Sequence, residues 1–79
     1  MRTIWLVYSQ QDSEQPEVIY ACQSSDRAQQ IIVNLITARQ EEKTEAHFAK
    51  DGLSGYIIIK PDDVIAYRAY AVSMSLLEA

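Results

Sequence analysis

The chain has 79 residues, 48% of them apolar and 23% charged, with two glycines and two prolines. That length holds one domain with one modest core, and that composition excludes a disordered linker or a low-complexity chain, so residues 1–79 are expected to fold as a single domain. Seven basic against eleven acidic residues give a formal charge of −4, which removes the broad positive field expected of a nucleic-acid binder or a protein held to an anionic membrane.

The N-terminal apolar run, Thr3 to Val7, is too short for a secretory signal, and nothing approaches the ~18 apolar residues of a membrane span. With Cys22 as the single cysteine no intrachain disulfide can form, and a reducing cytoplasm is the expected setting. Thr3 to Ser9 is rich in β-branched and aromatic residues and predicts a strand. The polar run Gln10 to Pro16 then predicts a loop, and Glu17 to Gln23 a second strand pairing with the first as a hairpin.

Ser24, Ser25 and Asp26 offer capping oxygens and an acidic first turn, so a helix is expected to start near Ser25. Its residues Ile31, Ile32, Val33, Leu35 and Ile36 sweep an arc of roughly 200°, about twice the stripe of a one-sided surface helix, and so ask for two covers. The charged run Glu41 to Lys50 could extend this helix in a solvated form, with Asp51-Gly52 as its stop, or its last two turns could equally be irregular. Gly55 to Lys60 predicts a third strand ahead of Pro61. From Pro61 to residue 77 two readings stay open. Pro61-Asp62-Asp63 suits a helix start, and the alanines at 66, 69 and 71 favour helix. The same three residues also make a turn into a fourth strand over Val64 to Val72.

The expected fold class is therefore α+β, in the order ββαβα: a three-stranded, mainly antiparallel sheet with helices on one face, the last element being the alternative fourth strand. Strand alternation sends Ile4, Leu6, Tyr8, Val18, Tyr20, Cys22, Ile57 and Ile59 inward. Trp5, Val7, Ile19, Tyr56 and Ile58 then fall on the outer face, too much apolar surface for an idle one. A helical C-terminal segment would also carry two apolar faces, with Tyr70 and Met74 among its partner-facing residues. Surplus apolar surface of this kind points to a protein partner and to a two-fold homodimer.

No residue pattern carries catalysis, cofactor binding or a metal. His47 and Cys22 are each alone, which denies zinc its ligand set and leaves Cys22 the role of a small core hydrophobe. Asp62 and Asp63 fit a helix start better than a cation site. Gly52-Leu53-Ser54-Gly55 has the spacing of the Gly-x-x-Gly loop of KH modules, but it leads into a strand and follows an acid, so it reads as a turn. Trp5 and Tyr56 could stack bases, yet only Lys60 and Arg2 lie near, and nucleic acid is not the expected partner.

The run Trp5 to Tyr8, the polar hairpin loop, Ser24-Ser25 leading to Ala28, and the strand Gly55 to Ile58 together resemble short uncharacterised accessory proteins of bacteriophages and prophages. The resemblance implies a non-enzymatic protein that binds and modulates a host or phage protein, in the host cytoplasm if phage-encoded. An inhibitor of a bacterial defence system of the anti-CRISPR type is the alternative, acting through an acidic surface that includes Glu41 and Glu42. A small-ligand or RNA-binding module is the second alternative.

Overall fold

The computed structural model describes residues 2–76, which form strands β1 (Arg2–Gln11) and β2 (Glu17–Cys22), helix α1 (Ser25–Ala38), and strands β3 (Thr44–Phe48), β4 (Ser54–Ile59) and β5 (Val64–Leu76). All pairings are antiparallel, in one five-stranded sheet of order β2-β1-β5-β4-β3. The expected three-stranded sheet with order ββαβα is thus corrected to five strands and one helix, in the order ββαβββ. The β1–β2 hairpin and β4 lie as expected.

Two segments account for the difference. Val64–Leu76 is a strand, and a central one, flanked by β1 and β4; residue 77 lies outside the described residues. Its alanines have a tertiary cause. Ala69 pairs with Gly55, and a Cβ built on Gly55 would stand 3.3 Å from Ile36 Cγ1 of the helix, so small residues here let α1 approach the sheet. That need overrides the helical preference of alanine. Thr44–Phe48, expected as a solvated helix extension or as irregular chain, is an edge strand on which Ala46 packs toward the core while Glu45 and His47 face away.

Helix α1 begins where its cap lies: the Ser24 hydroxyl accepts from the Arg27 N–H at 3.0 Å, and Asp26 sits in the first turn. The helix leaves one edge strand, β2, and delivers the chain to the other, β3, so it must cross the sheet between them. Ala28, Ile31, Ile32 and Ile36 form its buried stripe, with Leu35 partly buried, and they pack on Val7, Ile57, Tyr67 and Ala69. The second cover expected for this helix is absent among the described residues, and Val33 is left 43% exposed.

The sheet runs on past its covered part. Pairing of β4 with β5 ends at Ser54↔Tyr70, after which the Ala71 N–H still donates to the Leu53 carbonyl at 2.8 Å. On the other side β2 ends at Trp5↔Cys22. Arg2–Ile4 and Met74–Leu76 therefore form a two-stranded arm, whose register continues unbroken from the sheet. The molecule is correspondingly long, 51 × 23 × 18 Å.

Candidate functional site

One helix can cover only one face of five strands, so the opposite face of the sheet stays open, and its residues follow from the register. Tyr8 pairs with Tyr70, and their rings stack at 5.0 Å and 7°. His47 pairs with Tyr56, and these rings stack at 5.2 Å and 16°. Alternation from these pairs adds Ile4 and Leu6 of β1, Val72 and Met74 of β5, and Ile58 of β4 to the same face. Arg68 lies opposite Tyr56, and Arg68, Tyr56, Tyr70, Ile65 and Ser54 border a shallow hollow of about 360 Å3.

Charge gathers at one corner of this face. Lys60 Nζ is 2.9 Å from Asp63 Oδ1 and 3.2 Å from Glu45 Oε2, and Glu45 Oε1 is 3.3 Å from His47 Nε2. Hydrogen bonds to Asp63 and then Glu45 hold the Lys60 ammonium above its ordinary pKa of 10.5. Arg68 and Gln10 add polar groups between that corner and the tyrosines, and from Tyr8 and Tyr70 to Ile4 and Met74 the face is aliphatic and aromatic.

The nine candidate interaction residues are dispersed by this geometry. Tyr56, Ile58, Tyr70 and Met74 lie on the open face, although Ile58 is only 8% exposed beneath its neighbours and belongs to no part of the helix-side core. Trp5 and Val7 do not lie there. Val7 is fully buried against the helix and Trp5 packs beside it, because the alternation of β1 is the reverse of the one expected. Both of its parities are apolar, so the composition of β1 cannot decide which set faces the helix. Ile19 occupies a bulge on edge strand β2, where the register shifts opposite Val7 and Tyr8. That shift carries Val18 to the face of Tyr8, while Cys22 stays on the core side as expected.

Glu41 and Glu42 sit exposed in the loop between α1 and β3, turned by the Thr44 hydroxyl, which accepts from the Glu41 N–H at 2.7 Å. The site residues not expected from the sequence are Ile4, Leu6, Tyr8, Val18, His47, Arg68 and Val72. Reading Arg68 as solvent-facing on a strand would have found Tyr70, Val72 and Met74 by alternation, and then Tyr8 across the ladder.

On the helix side, Arg39 caps the C-terminus of α1 and stands 4.2 Å above the Tyr67 ring. A cleft of about 330 Å3 beside them is bordered by Gln11, Asp12, Glu41 and Thr44. Among the described residues no cluster of three or more His, Cys, Asp or Glu is placed to hold a metal, and no helix is long and apolar enough to cross a membrane.

The class defined by these features is a small α+β domain whose antiparallel sheet carries one helix on one face and presents the other. Compared with protein-family models, curated proteins and solved structures, the chain has no match among them.

Proposed function

We propose that the chain is a small, non-enzymatic, homodimeric protein-interaction module that binds its partner through the open sheet face. The observation that carries this reading is the continuity of apolar and aromatic side chains over that face, with Tyr56 39%, Val72 45% and Met74 46% exposed. Patches of this kind mark interaction sites, and aromatic residues are enriched where interface energy concentrates. The single cysteine fits a reducing cytoplasm, and the resemblance to phage accessory proteins gives the partner as a host or phage protein that the module modulates.

A second reading, an anti-defence inhibitor that acts through acids, draws support from one end of the sheet. Asp12 and Glu41 border one cleft there, next to the turn that holds Asp62 and Asp63. Lys60 already takes Glu45 and Asp63, and Lys43 and Arg39 interrupt the rest, which makes the acidic surface the weaker candidate.

Quantitative capture of a host-lysate partner by three forms of the chain separates the two. Loss of capture on Tyr70→Lys with retention on the double variant Glu41→Lys, Glu42→Lys supports the sheet face. The opposite pattern transfers the function to the acidic end.

A further inference from the structure

Beyond Tyr70 the edge of β5 that β4 covers lower down has no strand beside it among the described residues. The Ala71 N–H points to that edge, toward the Leu53 carbonyl. By the two-residue period of a strand, the N–H and C=O groups of Ser73 and Ser75 point the same way, while Val72 and Met74 bond across to β1. A two-stranded ribbon is marginal in water by itself, and an unpaired edge is a template for another strand.

Proteins blunt such edges, and the other two edges of this sheet are blunted. β3 carries Glu45, tied to Lys60 and His47, and β2 carries the bulge at Ile19. Val72-Ser73-Met74-Ser75-Leu76 has no charge, no proline and no register break. Its residue order is also close to a palindrome about Met74.

We infer that this edge is a two-fold seam, at which a second copy of the chain lays its own Val72–Leu76 antiparallel to the first and the two sheets run on as one. The inference deepens the homodimer reading above and rests on it. Centred on Met74, the pairing sets Met74 against Met74, Ser73 against Ser75 of the second copy, and Val72 against Leu76. The two serine pairs are then the hydrogen-bonded ones, so every edge-facing N–H and C=O of Ser73 and Ser75 is satisfied, with serine meeting serine on one face and methionine meeting methionine on the other.

Self-complementarity selects a second copy over an unrelated strand, since a two-fold axis needs a surface that fits itself.

Light scattering over a wide concentration range, with circular dichroism as the check on folding, tests the seam together with two variants. The wild type is expected at twice the 9.0 kDa chain mass. Ser75→Pro removes a donor that faces the seam and none that bonds β1, so it halves the mass and keeps the fold. Met74→Cys places two thiols in a non-hydrogen-bonded pair, with Cα atoms ~4.5 Å apart and within disulfide reach. Mild oxidation should then link two chains covalently, which wild type with Cys22 alone does not do.

If Ser75→Pro fails to fold, the Met74→Cys crosslink decides. A wild type that stays at one-chain mass overturns both the seam and the homodimer. A wild-type dimer that Ser75→Pro leaves intact and Met74→Cys fails to crosslink overturns the seam alone and leaves the homodimer standing on another surface.

Discussion

Ile36 and Gly55 meet where the helix comes nearest the sheet, and each is sensitive for its own reason. Ile36 is fully buried in the core, so Ile36→Ala leaves a cavity and is expected to cost about 2–5 kcal/mol in chemical denaturation. A Cβ on Gly55 would stand 3.1 Å from the His47 carbonyl oxygen and 3.0 Å from Phe48 Cδ1. The carbonyl is backbone and yields little, so Gly55→Ala should lower stability by about 1–3 kcal/mol. Tyr67 presents the converse case. It is 3% exposed and its hydroxyl has no hydrogen-bond partner among the described residues, so Tyr67→Phe should leave stability unchanged or raise it by about 1 kcal/mol. Lys60 makes the pH prediction. Its pKa is raised in the folded chain by Asp63 and Glu45, so its contribution is present below 10.5 and is lost as pH climbs through the folded value. A melting-temperature difference between wild type and Lys60→Met should therefore be present at neutral pH and close in strong alkali.

The helix and β5 depend on different things. α1 is specified locally, by the Ser24 cap and by a stripe at 28, 31, 32, 35 and 36, and Ser24→Ala should cost about 1 kcal/mol of thermal stability. β5 is specified by its neighbours. Its alternation of Tyr67, Ala69 and Ala71 with Arg68, Tyr70 and Val72 becomes a strand pattern only once β1 and β4 flank it and a helix presses on the alanines. β3 is legible only weakly for a related reason. Five residues that alternate Thr44, Ala46 and Phe48 with Glu45 and His47 look like a solvated charged run until the sheet supplies an edge to pair with.

At the scale of the whole molecule, one helix on a five-stranded sheet leaves an exposed face and an uneven rim, and these set its expected behaviour. β5 has a strand on both sides from Tyr67 to Tyr70, while β2 and β3 are edges and every β2 residue before Cys22 is exposed. Native-state hydrogen exchange should therefore be slowest in the covered parts of β1 and β5 and fastest in β2 and β3. Exchange along the arm should slow as chain concentration rises, since the seam pairs the Ser73 and Ser75 amides.

The residues alone determine the β1–β2 hairpin, the start of α1, strand β4 and the surplus of apolar surface, because each rests on local spacing, capping or composition. Tertiary structure decides the rest. Whether an alanine-bearing segment extends or coils depends on what presses against it, as Gly55 and Ala69 beneath Ile36 show. Which side of β1 faces the helix is a choice between two apolar sets, Trp5 and Val7 against Ile4, Leu6 and Tyr8. Packing makes that choice through the register with β2 and β5, which no single strand contains.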